Sequence, residues 1–158
     1  MVKMAKARGN AAELAFEAVM TANGFSLRRS TQEEDYLHHF DFHCGAERID
    51  CKAVKRIYGR EQDELIFVET RNYGRPGWLY APMLTHIAFQ MLDGSFLVIS
   101  KTKLQEICQP FITKTAGRRS SSMQQVIDGT HAYGRLDRDE AVHLIPSSII
   151  EQHAVRYK

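Results

Sequence analysis

Phe40-Asp41-Phe42-His43-Cys44-Gly45, followed closely by Arg48-Ile49-Asp50-Cys51-Lys52, carries two acids and a lysine on two short apolar segments. Apolar and polar residues alternate in both segments, and a glycine-containing turn separates them, which predicts two β-strands. Because side chains alternate between the two faces of a strand, Asp50 and Lys52 share one face of the second strand. If the strands pair as a hairpin, Asp41, Asp50 and Lys52 converge within a few ångströms.

The chemistry of these three side chains indicates a divalent-cation site with a cationic group beside it. Such a site can hydrolyse a phosphodiester bond. Two structural alternatives remain open. Asp50 and Lys52 can form an ordinary surface ion pair on an amphipathic strand, and Asp41 can simply face solvent on a half-exposed strand.

The composition is that of an ordinary globular protein. We expect a single domain over residues 1–158, because 158 residues can bury a core and 44% of them are apolar. No apolar run is as long as a membrane span, and the first residues lack the apolar core of a signal peptide. Three cysteines without a framework spacing favour a reduced, intracellular and cytoplasmic setting.

The pattern along the chain predicts a mixed α/β domain built around one central sheet flanked by helices. The first helix is expected at 10–23, with Asn10 as its N-cap, Gly24 as its stop, and a buried stripe of Phe16, Val19 and Met20. Strands are expected at about 25–29, 36–44, 48–55, 65–70, 85–91, 96–100 and 141–145. Short helices are expected from Thr102 to Pro110 and after Ser147 or Ser148, and polar loops at 31–35, 58–63, 72–82 and 114–122.

The order of acidic and basic residues in the chain resembles the core of the PD-(D/E)XK nuclease superfamily: an acid on the first helix, then Asp41, then Asp50-Cys51-Lys52. The opening Gly9-Asn10-Ala11-Ala12-Glu13, with the later Gly24-Phe25 pair, is similar to that of archaeal Holliday-junction resolvases. The segment from Phe67 to Tyr80 also resembles small phage and viral nuclease-like proteins. The resemblance covers about residues 9–105, and Phe40 stands where the name of the motif has proline.

The resemblance implies a restriction-endonuclease-like fold with an αβββαβ core, and a metal-dependent deoxyribonuclease. Asp41, Asp50 and the carbonyl of Cys51 would bind Mg²⁺, for which Mn²⁺ would substitute, and Lys52 would stabilise the charge that develops on the phosphate. The alternative is a non-catalytic nucleic-acid-binding or regulatory protein that keeps the fold.

Two further acids have an open assignment. The resemblance favours Glu13 as an acid that reaches the metal or its waters, but Asn10 and Glu13 also match a capping box. Spacing alone does not separate Glu13 from Glu17, one turn later on the same helix face. Glu69, at the end of an apolar strand, is either an accessory group near the metal or a strand-end charge.

DNA is the expected partner, with basic residues on its phosphates and Trp78 or Tyr80 stacked on its bases, although a core role fits Trp78 better. A junction-cutting enzyme needs two active sites, so the resemblance also implies a homodimer. The apolar segment 77–87 is the candidate interface, and a core role explains it equally well. The basic residues expected to bind phosphate are Lys55, Arg56, Arg71, Arg75, Arg118 and Arg119.

A zinc site is not favoured around Cys44 and Cys51, although histidines lie nearby. Strand alternation would place His39 and His43 on one face and His38 on the other, and no paired spacing within one loop is present. His39 and His43, on the face of Asp41, are expected instead to be auxiliary groups at the active site.

Overall fold

The computed structural model describes residues 2–158, and this part of the chain is a mixed α/β structure. Its helices are α1 (Val2–Ala22), α2 (Gln32–His38), α3 (Lys101–Lys114), α4 (Met123–Ile127) and α5 (Ser147–Glu151), with 3-10 turns at Trp78–Tyr80 and Leu136–Arg138. Its strands are β1 (Arg28–Arg29), β2 (Phe42–Cys44), β3 (Glu47–Lys52), β4 (Lys55–Ile57), β5 (Arg60–Gln62), β6 (Leu65–Asn72), β7 (Arg75–Pro76), β8 (His86–Gln90), β9 (Phe96–Ser100), β10 (Arg119–Ser120), β11 (Ala132–Tyr133), β12 (Ala141–Pro146) and β13 (Val155–Tyr157).

The strands form two main sheets and a separate hairpin. The six-stranded sheet has the order β1-β2-β3-β8-β9-β13, and only the β3–β8 pair in it is parallel. The five-stranded sheet has the order β10-β11-β12-β6-β7, and β4 pairs with β5 alone. The expectation of one central sheet was therefore wrong. The strand at 65–70 exists, but β6 pairs with β12, far along the chain, and not with the acid-bearing hairpin.

Apolar layers cover both faces of the six-stranded sheet. On one face, α1 packs Phe16 against Phe42 and Phe96, with ring centroids 5.5 and 5.1 Å apart. On the other face, the core lies between this sheet, the second sheet, α3 and the turn at Trp78–Tyr80. Ile87 and Phe89 of β8 contribute to this core from the first sheet. The predicted stripe of Phe16, Val19 and Met20 is confirmed.

Helix α1 is longer than predicted, because it is already helical at Val2. Asn10 therefore lies inside the helix and does not cap it, which removes the capping-box role considered for Glu13. Alanine and lysine before Gly9 are strong helix formers and carry the helix through the less favourable Gly9-Asn10 pair. The predicted end is confirmed: Gly24 has a φ of 86°, and the Phe25 N–H donates to the Met20 carbonyl.

Two other boundaries were also wrong. The segment 31–35 is not a loop, since Thr31 and Glu34 form a capping box that begins α2, and α2 takes up part of the strand expected from residue 36. Helix α3 begins after Ser100, whose side chain accepts the Lys103 N–H, and it continues through Pro110 to Lys114. The hairpins β2–β3 and β8–β9 are confirmed.

The segment 77–87 lies mainly within the chain's own core. Leu79, Leu84 and Ile87 are fully buried, while Trp78 and Met83 pack against the same cluster. The core role is thus the one that the structure bears out for this segment. No helix among residues 2–158 is long and apolar enough to cross a membrane.

Candidate functional site

A cavity of about 700 Å³ opens beside β3 and is bordered by elements from both sheets. The structure brings Glu13, Asp41, Asp50, Lys52 and Glu69 together there, although they come from four separate parts of the sequence. Charged and polar groups dominate the wall. The full lining is Glu13, Asp35, His39, Asp41, Asp50, Cys51, Lys52, Glu69, Asn72, Tyr73, Arg75, Pro76 and Trp78.

Strand β3 places Asp50 and Lys52 on one face, as alternation predicts. Ile49 and Cys51 point into the core beneath α1, so Asp50 and Lys52 point to the opposite side. Lys52 Nζ lies 2.6 Å from Asp50 Oδ2, and Asp50 is only 5% exposed. Because Asp50 is buried, this is not the surface ion pair that the sequence also allowed. Removing either charge would leave the other one uncompensated.

Asp41 immediately precedes β2 and extends the hairpin. Its N–H donates to the Ile49 carbonyl at 2.9 Å, and its Oδ2 accepts the Cys51 N–H at 2.7 Å. The carboxylate thus sits directly beside the strand that carries Asp50. Burial, reinforced by the negative charge of Asp50, raises the pKa of Asp41 to about 8. The interpretation of Asp41 as a freely solvated side chain was wrong.

The ammonium of Lys52 is held from two sides. It contacts Asp50, and it lies 5.0 Å from the centroid of the Trp78 ring. Burial opposes its charge, but Asp50, Asp41 and Glu69 more than offset this, so the pKa of Lys52 is above its usual value. Lys52 therefore remains a cation and does not act as a base near neutral pH.

A close contact between the backbones of Gly77 and Glu69 fixes the position of Glu69 at the site. Gly77 lies so near that a Cβ there would be 2.4 Å from the Glu69 carbonyl oxygen. This contact allows the Trp78 N–H to reach Glu69 Oε1 at 3.4 Å. Burial raises the pKa of Glu69, against the effects of Trp78 and Lys52. Trp78 also packs against Phe89, which confirms its core role, yet its ring borders the cavity.

Glu13 and Glu17 differ in their position relative to the cavity. Arg29 bridges both, at 3.2 Å from Glu13 and 2.8 Å from Glu17, but only Glu13 lines the cavity. Burial raises the pKa of Glu13, partly opposed by Arg29, and the nearby acids Asp35 and Asp50 raise it further.

The predicted phosphate-binding residues are not gathered in one place. Arg75 borders the cavity. Arg71 and Arg119 both pair with Asp139, while Arg118 donates to the Lys114 carbonyl. Lys55 and Arg56 lie on β4, where Arg56 pairs with Glu61 at 3.3 Å.

The two histidines expected at the active site lie in different places. His39 lines the cavity as predicted. It follows the C-terminal end of α2, with a left-handed backbone conformation, and does not lie on a strand. His43 instead contacts Glu34 at 3.0 Å and packs edge-on against Phe40, so its expected role beside Asp41 was wrong.

Charge and hydrogen bonding at the cavity fit a divalent cation. Five acidic side chains and only two basic ones, Lys52 and Arg75, belong to the lining. Asp50 Oδ2 is buried and lies 2.6 Å from Lys52 Nζ, so a cation here would share this carboxylate with the lysine. No group of three or more His, Cys, Asp or Glu placed to hold a metal occurs within residues 2–158. The predicted ligands are two carboxylates and a backbone carbonyl, which that finding does not exclude.

Comparison of the chain with protein-family models, curated proteins and solved structures finds nothing that matches.

Several lining residues were not foreseen from the sequence. Asp35 comes from α2, and the Thr31-x-x-Glu34 capping signature could have revealed that helix. Tyr73 lies on the β6–β7 turn at the edge of the cavity. No local sequence signal places this turn beside β3, because β6 and β3 belong to different sheets.

Proposed function

We propose that this protein is a Mg²⁺-dependent DNA endonuclease of the PD-(D/E)XK type. The observation that carries the proposal is one cavity in which Asp41, Asp50 and Lys52 meet, with Glu13 and Glu69 beside them. A helix packed on a hairpin that carries two acids and a lysine, next to a parallel strand, supports the same conclusion.

The cation would be held by the carboxylates of Asp41 and Asp50 and the Cys51 carbonyl, whose hard oxygens suit Mg²⁺. When bound, the ion would supply positive charge for a phosphate oxygen and lower the pKa of a coordinated water. Burial, reinforced by the negative charge of Asp50, raises the pKa of Asp41, and a cation there would relieve the repulsion between the two carboxylates.

The protein's own groups have distinct parts in phosphodiester cleavage. Lys52, fixed by Asp50 and Trp78, presents a permanent positive charge to the oxygens that become more negative in the transition state. Glu13, whose pKa is raised, can accept a proton from an attacking water or orient it. Arg75 at the edge of the cavity can bind a neighbouring phosphate.

The test is cleavage of supercoiled, linear, single-stranded and four-way-junction DNA, with and without Mg²⁺ or Mn²⁺. Asp50→Asn should abolish cleavage because a charged ligand is lost. Lys52→Ala should reduce the rate by orders of magnitude. Binding without cleavage by the wild-type protein would favour the non-catalytic alternative, and wild-type rates in either variant would overturn the assigned roles.

The two helix acids provide a matched pair of variants. Both contact Arg29, so Glu13→Gln and Glu17→Gln should change the charge of the helix surface alike. Only Glu13 lines the cavity, so Glu13→Gln should lower the cleavage rate far more than Glu17→Gln. Equal losses of activity would show that the acids act through Arg29 and not at the reaction centre.

The dimeric, junction-cutting form is a separate part of the proposal, and light scattering with a junction-cleavage assay tests it. A monomer that cuts linear and branched DNA equally well would indicate a general nuclease.

A further inference from the structure

Two hairpin tips of this protein share one unusual construction. The tripeptide Tyr-Gly-Arg occurs three times, at residues 58–60, 73–75 and 133–135, and the first two copies form hairpin tips. In both places Tyr and Gly are the two residues that connect antiparallel strands, and both have positive φ: 50° and 78° in the first turn, 50° and 72° in the second. Such turns usually contain Asn-Gly or Gly-Gly, because a bulky residue is strained at positive φ.

Both tyrosine rings are also exposed, Tyr58 at 70% and Tyr73 at 63%. A strained residue that buries little of its ring contributes little to folding. Strain of this kind persists where the side chain has another use. The two tips differ in their surroundings, and that difference separates their roles.

Tyr73 is fixed at the edge of the cavity, whereas Tyr58 does not line it. The guanidinium of Arg138 lies 5.3 Å from the centroid of the Tyr73 ring. The next residue, Gly74, donates its N–H to the Asp139 carbonyl at 3.3 Å. Asp139 is itself anchored through its carboxylate by Arg71 and Arg119. The exposed ring is therefore held in place before any ligand arrives, which lowers the entropy lost on binding.

We propose that Tyr73 is a stacking platform for an unpaired base, and that it makes this site selective for nucleic acid with single-stranded segments. An exposed aromatic ring backed by a guanidinium matches the flat face of a base, and Arg75 beside it matches the adjoining phosphate. Bases inside a duplex are already stacked on both faces, so only an unpaired or terminal base can use the ring. This inference rests on the proposed function, because the strand held by Tyr73 and Arg75 would continue into the cavity that contains Asp50 and Lys52.

Asparagine substitutions test the platform without straining the fold, since Asn adopts positive φ more readily than Tyr. Tyr73→Asn removes the platform, Tyr58→Asn is the control with the same turn and exposure, and Tyr73→Phe keeps the ring. The probe is a short fluorescein-labelled single-stranded oligonucleotide, compared with its blunt duplex, by anisotropy in EDTA. Thermal unfolding confirms that each variant is folded.

We expect wild type to bind the single strand more tightly than the duplex. Tyr73→Asn should lose about tenfold or more in affinity for the single strand, while Tyr58→Asn and Tyr73→Phe stay within about twofold of wild type. Unchanged binding by Tyr73→Asn, an equal loss in Tyr58→Asn, or no preference for single strands would overturn the stacking role.

The binding assay in EDTA is independent of cleavage. If the expected binding pattern is found but no DNA is cleaved, the endonuclease proposal is refuted and the stacking role of Tyr73 stands. Cleavage with wild-type single-strand binding by Tyr73→Asn would refute the platform alone.

Discussion

Replacing Asp41 by Asn should make the protein more stable in metal-free buffer near pH 8. The carboxylate of Asp41 is held beside Asp50 in a largely buried position, and burial together with the Asp50 charge raises its pKa from 3.8 to about 8. Asn has almost the same shape, and its side-chain oxygen can still accept the Cys51 N–H that Asp41 accepts at 2.7 Å. The substitution thus removes the repulsion and keeps the hydrogen bond.

The size of the effect follows from the pKa. A rise from 3.8 to about 8 is about 4 pKa units, and at about 1.4 kcal/mol per unit the ceiling is about 6 kcal/mol. Because Asp41 is partly exposed and its neighbours can relax, we expect roughly 2–3 kcal/mol of stabilisation. For a protein of this size that corresponds to a Tm increase of about 5–10 °C.

The pH dependence has a definite sign. A raised folded-state pKa means that the native state keeps the Asp41 proton after the unfolded chain has lost it. The stability that this proton supports is fully present below about pH 4 and is lost as pH rises to about 8. The wild type should therefore fall behind Asp41→Asn progressively across this window.

Thermal unfolding from pH 4 to 9, in EDTA and in Mg²⁺, measures both effects. Mg²⁺ should raise the Tm of wild type more than that of Asp41→Asn, since the variant has lost a ligand. Asp137→Asn, at an exposed position, is the control for a general loss of one negative charge. If Asp41→Asn is less stable than wild type at pH 8, or if the two curves run parallel, the raised pKa is refuted.

Two further predictions concern the scaffold. Gly77→Ala should destabilise the protein by about 1–3 kcal/mol in chemical denaturation and shift Trp78 fluorescence, because the added Cβ would lie 2.4 Å from the Glu69 carbonyl oxygen. Unchanged stability and emission would contradict this packing. Burial lowers the pKa of His143, so the stability it supports, present above about pH 6.5, should be lost as pH falls below that value. His143→Asn in the Asp41→Asn background should remove this slope, and an identical slope would place its origin elsewhere.

The acid-bearing hairpin could be predicted from the sequence because strand alternation is a geometric rule. Asp50 and Lys52 are two residues apart and must share a face if the segment is a strand. The convergence of Asp41 with them follows from the short turn at Gly45. Local pattern was sufficient at this point because sequence neighbours are also neighbours in space.

The remaining walls of the cavity depend on contacts between distant segments. The β6 sequence indicates a strand, but nothing within it says that its partner is β12, about 75 residues later. For the same reason Glu13 and Glu17 could not be separated, because helical spacing gives both the same face and only the cavity distinguishes them. The early start of α1 rests on the good helix formers before Gly9. The passage of α3 through Pro110 shows tertiary packing outweighing a local breaker, because Phe111 and Ile112 pack against the core.

Unfavourable local features gather around one cavity, and their distribution is itself an argument for function. The described residues include four non-glycine residues with positive φ: His39 lines the cavity, Tyr73 stands at its edge, Asp139 lies behind Tyr73, and Tyr58 is the exception. The buried carboxylate of Asp50, paired with Lys52, belongs to the same place. A sequence selected only for stability would not keep these costs together, because each could be removed by a single substitution. Their concentration beside Lys52 supports the proposal that the cavity serves binding and chemistry. On that proposal, a substitution such as Asp41→Asn should improve the fold while impairing the site.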